Sequence, residues 1–131
     1  MSDDTEYHYI KILNLVKIHK YSLMKAKLLR IYIGESGRYE GKPAYHAIVE
    51  YLRSKRIAGA TVFRGFEGYG VHSILHTASI LRLSEDLPVI IEVVDTQEHL
   101  KPVIPEIKKM AKDKLMTIQD VDIVAGHEYE A

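Results

Sequence analysis

The chain has 131 residues, 47% of them hydrophobic and 27% charged, which suits one globular domain able to bury its own core. Its 18 Lys and Arg offset 18 Asp and Glu, so no positive excess supports sequence-independent nucleic-acid binding and no net repulsion opposes self-association. Cysteine is absent, which excludes disulfides, thiolate metal sites and thiol catalysis, and no run of about 18 apolar residues is present to span a membrane.

Residues 1–23 open with acids, and Lys11 and Lys17 interrupt their apolar part. That order is wrong for a secretory signal, so a cytoplasmic location is expected. Ile10, Leu13 and Val16 fall at helical spacing, and the stretch reads either as a short amphipathic helix or as a loose extension outside a main domain of residues 24–131. From Lys25 the pattern sharpens. In "KLLRIYIG", Leu29, Ile31 and Ile33 face one way and Arg30 and Tyr32 the other, a strand that Gly34 ends. After the turn "ESGRYEG", Pro43 opens a helix whose stripe is Ala44, Ile48, Tyr51 and Leu52, running to about Lys55 and closed near Gly59. A second strand covers roughly Ala60 to Arg64.

The stretch "GATVFRGFEGYG", residues 59–70, then places three glycines within six positions directly after that strand. Either the chain turns sharply there or something approaches its backbone closely, and phosphate is the usual candidate. The order Gly-x-x-Gly-x-Gly reverses the dinucleotide fingerprint, and no acidic residue ends a partner strand at the required distance, so a Rossmann site is set aside. Roughly 20 residues, 65–86, separate the second strand from the third, and loops of that length are usually functional. Val71, Ile74, Leu75, Ala78 and Leu81 offer a helical turn or two within it. His72 and His76 would share one helix face, but no third ligand stands at a suitable spacing, so no metal site is predicted.

"DLPVIIEVVD" is apolar on both faces except at Glu92, as a central strand should be. Asp95 and Glu98 have the spacing of a capping box. Pro102 and Pro105 are harmless if a second helix begins near residue 102, and Ile104, Ile107, Met110 and Ala111 give it a buried stripe. Lys108, Lys109, Lys112 and Lys114 read as a solvated helix end. "MTIQDVDIVA" alternates again with Asp120 and Asp122 outward, as on an edge strand.

The order strand–helix–strand–strand–helix–strand predicts an α+β, ferredoxin-like βαββαβ domain: a four-stranded antiparallel sheet with two helices on one face and a long loop between strands 2 and 3. The first and third strands should be central, with Arg30 and Glu92 forming an ion pair on the uncovered face. That face also carries Tyr32, Ile90 and Val94, too apolar to leave in water, which predicts association with further copies. No Ser-His-Asp or paired-Glu spacing stands out, so no enzyme is predicted.

Taken in order and spacing, "RIYIGE", "GKPAY", "GATVFRGFEGYG" and "RLSEDLPVIIEVVD" resemble the PII-like family, relatives of the PII signalling proteins, over residues 27 to about 125. The resemblance implies a homotrimer with no tightly bound cofactor. It implies an adenine nucleotide (AMP, ADP or ATP) as regulatory ligand in clefts between subunits, and a mobile loop that grips or releases a target protein. Carried over, it places Arg64, Gly65, Gly68 and Gly70 at the cleft, with Ser84, Asp86, Leu87 and Val89 close by. Lys112 and Lys114 fall in the link that corresponds to a phosphate-contacting loop. There "KDKLMT" lacks the glycines of PII proteins, which speaks against a compact backbone cradle, and the loop tyrosine that PII proteins modify has no counterpart. Two alternatives stay open: a structural or adaptor trimer without a small ligand, and a metal-binding trimer of the cation-tolerance type, which shares the fold.

Overall fold

A computed structural model describes residues 23–70, 76–77 and 86–126. The long strand β1 (Met24–Gly34) leads into a small hairpin of β2 (Arg38–Tyr39) and β3 (Lys42–Pro43), then helix α1 (Ala44–Ser54) and strand β4 (Ala60–Arg64). A second small hairpin, β5 (Glu67–Gly68) with β6 (His76–Thr77), precedes β7 (Pro88–Asp95). Helices α2 (Gln97–Leu100) and α3 (Ile104–Met110) and strand β8 (Met116–Ile123) complete the chain. The main sheet has the order β4-β7-β1-β8 with every pairing antiparallel. It is the expected ferredoxin-like sheet, with the two most apolar strands at its centre.

The alternation of apolar residues decides which face is covered. Leu29, Ile31 and Ile33 of β1 and Val89, Ile91 and Val93 of β7 are buried beneath the helices with Ile48, Leu52, Leu100 and Ile107. A fully buried aliphatic side chain of this kind is stabilised by about 1.5–3 kcal/mol over its exposed state. The other sheet face carries Leu28, Arg30 and Tyr32 beside Ile90, Glu92 and Val94, all half-buried in the single chain. Arg30 and Glu92 are register partners there, joined Nε to Oε2 at 3.0 Å. Among the described residues no helix is long and apolar enough to cross a membrane.

Several elements close differently from expectation. Helix α1 runs to Ser54 with Lys55 as its cap, as expected, but it is closed at Arg56 and not near Gly59: Arg56 adopts φ 62°, and the amides of Arg56 and Ile57 donate back to Arg53 O and Leu52 O. This is the paired-bond closure usually given to glycine, with an arginine in the left-handed position. The capping residue of α2 is Thr96, whose hydroxyl accepts from the His99 amide, so Asp95 and Glu98 form no capping box. Asp95 is instead 3% exposed and accepts from the amides of Ala58 at 2.9 Å and Thr96 at 2.7 Å, tying the α1–β4 link to the end of β7. A short extra helix, α2, precedes the expected one, residues 101–103 form a turn between them, and α3 begins at Ile104, near the expected start, with Pro105 in its first turn, where its missing amide has no partner to lose. In the long loop residues 76–77 are strand, while Val71, Ile74, Leu75, Ala78 and Leu81, the residues of the expected helical turn, lie outside the described residues. His76 stands in that strand, and His72 lies outside the described residues, as do residues 1–22.

Candidate functional site

One end of the main sheet collects the last residues of β1 and β4 and the first residues of β7 and β8. The antiparallel order forces this, because neighbouring strands run in opposite senses. Arg64 pairs in register with Val89, Val89 pairs with Ile33, and Gly34 faces Pro88. The Tyr32 amide donates to Leu115 O at 2.9 Å, which brings the segment before β8 to the same end.

The glycine cluster has a definite neighbour. The Gly65 amide donates to Pro88 O at 2.6 Å. A Cβ added to Gly65 would lie 2.7 Å from Pro88 Cγ, and one added to Gly68 would lie 3.1 Å from the same atom. These two glycines let the outgoing loop lie close against the first residue of β7, Gly65 on the ring and carbonyl of Pro88 and Gly68 on its ring. Gly70 is exposed at the end of the described segment. Beyond the sheet, Phe66 and Tyr69 stand 78% and 79% exposed at the base of the loop.

Three charged groups meet around Pro88. The Arg64 guanidinium pairs with the Glu35 carboxylate. The Glu35 amide donates to Leu87 O at 2.8 Å, fixing its backbone to the start of β7. Asp86 lies against Gly34, where a Cβ would come within 2.5 Å of its Oδ1, and accepts the Ser36 amide at 3.0 Å. Leu87 and Val89, 7% and 3% exposed, point into the core and reach this region only through their backbone. Ser84 lies outside the described residues. Glu35 was assigned no role from sequence. It stands in the "RIYIGE" block, but its partner is 29 residues away, and only the sheet order brings them together.

The basic segment lies at the other edge. Lys112 and Asp113 both adopt left-handed backbone, φ 52° and 58°, and the amides of Lys112 and Asp113 close α3 by donating to Lys109 O and Lys108 O. The turn is thus compact without glycine. Beside it lies a cavity of about 290 Å³ lined by Leu29, Ile104 and Met116 and by Lys108, Asp113 and Lys114. Arg64 and Lys114 flank opposite edge strands, three strand spacings or about 14 Å apart.

The profile of the DUF190 family, described as "Uncharacterized ACR", matches residues 26–123. A UPF0166 protein of Methanocaldococcus jannaschii is 40% identical over 109 residues, covering 82% of this chain and 100% of its own length. A UPF0166 protein of Aquifex aeolicus is 36% identical over 102 residues, covering 78% and 96%. Among solved structures, the chain is similar to CPII, a nitrogen regulatory PII-like protein from Thiomonas intermedia K12 bound to ADP, AMP and bicarbonate. The TM-score is 0.62 at 14% identity, over 79% of this chain and 92% of that one. CutA1 from Oryza sativa is similar with a TM-score of 0.50 at 12% identity, over 80% and 85%. Likeness at such low identity establishes a shared fold.

Proposed function

Since the chain belongs to the DUF190 family and has the PII-like fold, we propose that it is a non-catalytic regulatory protein. It assembles as a homotrimer, takes an adenine nucleotide in the seams between subunits, and acts on a target protein through the 65–86 loop. The observation that carries this reading is the division of the candidate site. Arg64 and the loop base flank one edge strand, while Lys112, Lys114 and their compact turn flank the other. A site so divided is completed when the β8 edge of one chain approaches the β4 edge of another.

The uncovered sheet face supports association independently. Leu28, Tyr32, Ile90 and Val94 lie on it with Phe63, which is 48% exposed, and burying them against copies of the same face removes that apolar area from water. A ligand in the seam then biases the loop by binding one loop arrangement more tightly than another. The CPII protein, solved with ADP and AMP, supports adenine nucleotides as the first ligands to try.

One observation favours the adaptor reading instead: Pro88 alone accounts for Gly65 and Gly68, so neither glycine requires a ligand. Isothermal titration with AMP, ADP and ATP up to about 1 mM separates the two, since a weak but specific nucleotide site binds at or below that concentration. Saturable heat from at least one nucleotide is expected. No heat and no shift in melting temperature from any of them leaves the adaptor reading.

A further inference from the structure

We propose that Glu35 is a built-in competitor for the anion that Arg64 receives, so that ligand binding begins by displacing a carboxylate of the protein itself. This rests on the anion-binding reading above and names its control element. The pair joins the last residue of β4 to the residue just after β1, across β7, which lies between them in the sheet. It therefore passes over Pro88, where Gly65 and Gly68 carry the loop away from the sheet.

The two partners are held unequally. The Glu35 side chain is 20% exposed and its amide is anchored to Leu87 O, whereas the Arg64 side chain is 63% exposed. The carboxylate is thus the fixed member and the guanidinium the one free to turn outward. An exposed pair of this kind is weak and exchanges readily, and a phosphate offers the guanidinium the same two-oxygen geometry with more charge. Asp86, held beside Glu35 by the Ser36 amide, keeps the fixed side of the pair negative, so an arriving anion is drawn to the outward face of Arg64. Arg64 then changes partner while Glu35 stays, and the link between the loop base and the end of β1 opens.

The test uses the full chain, its Glu35→Gln variant and its Arg64→Gln variant, each titrated with ADP and separately with inorganic pyrophosphate. Removing the competitor should tighten binding of both probes about fivefold, the factor that ~1 kcal/mol represents at ~1.4 kcal/mol per decade. Arg64→Gln should weaken both probes about tenfold or more. ADP binding that neither substitution changes overturns the competitor and leaves the nucleotide reading standing. Pyrophosphate binding that follows the predicted pattern without any ADP binding supports the competitor and overturns the adenine reading. Equal affinities in the parent and Glu35→Gln overturn the competitor, and so does silence from both probes in all three proteins.

Discussion

Gly59 and Gly65 stand six positions apart and look alike in the sequence, yet they meet different surroundings. Nothing lies within 4 Å of a Cβ added to Gly59, whereas one added to Gly65 would meet Pro88 Cγ at 2.7 Å and Pro88 O at 3.2 Å. Gly65→Ala should therefore cost about 1–3 kcal/mol, since one of the colliding atoms belongs to backbone that cannot swing away. Gly59→Ala should fall within about 0.5 kcal/mol of the parent or be slightly more stable, because alanine restricts the unfolded chain. Urea unfolding of both variants measures the contrast, and equal costs would remove the close-approach explanation of the cluster. Left-handed backbone at Arg56, Lys112 and Asp113 tells the complementary story. Sequence reading looks for glycine at such positions, so it placed the first closure at Gly59 and took the lack of glycine in "KDKLMT" to speak against a compact phosphate cradle. At each of these exposed positions the local bonds that close α1 or α3 accompany the left-handed backbone.

The elements were legible wherever a period repeated. Alternation in β1 and the run of apolar residues on both faces of β7 identified the central strands and placed Arg30 opposite Glu92, while Asp120 and Asp122 marked β8 as an edge. What stayed hidden was contact between distant segments, such as Asp95 with Ala58 or Glu35 with Arg64, for which no local pattern exists. Two cross-element pairs nevertheless make a prediction about acid. A hydrogen bond from Lys42, assisted by its charge, holds the Glu50 carboxyl below its ordinary value, and Lys27 does the same to Asp120. The first pair ties β3 to α1, the second β1 to β8. A carboxyl lowered in the folded state contributes stability above its unfolded value and loses it as pH falls through the folded one. Lys27→Gln and Lys42→Gln should therefore shallow the fall in urea midpoint between roughly pH 6 and pH 3, around the ordinary carboxyl range. An acid limb of unchanged steepness in both would show that these pairs contribute nothing.

The assembled molecule is where a half-covered sheet becomes useful. The helices pack on one face, and the other presents Tyr32, Ile90 and Val94 around the Arg30–Glu92 pair. An ion pair at the centre of such a face constrains how copies meet, because an offset approach would bury one charge without its partner. In the trimer we propose, unlike edges come together, Arg64 from one chain toward Lys112 and Lys114 of another, and the halves of the proposed site join. The loop between β4 and β7 leaves the sheet at the seam so proposed, which makes its base the place where the proposed ligand acts. Native mass spectrometry of the purified protein at micromolar concentration, with and without ADP, measures the claim directly. The account predicts a species of about three times 15.0 kDa that takes up as many as three nucleotides. Single 15.0 kDa chains under both conditions would contradict it.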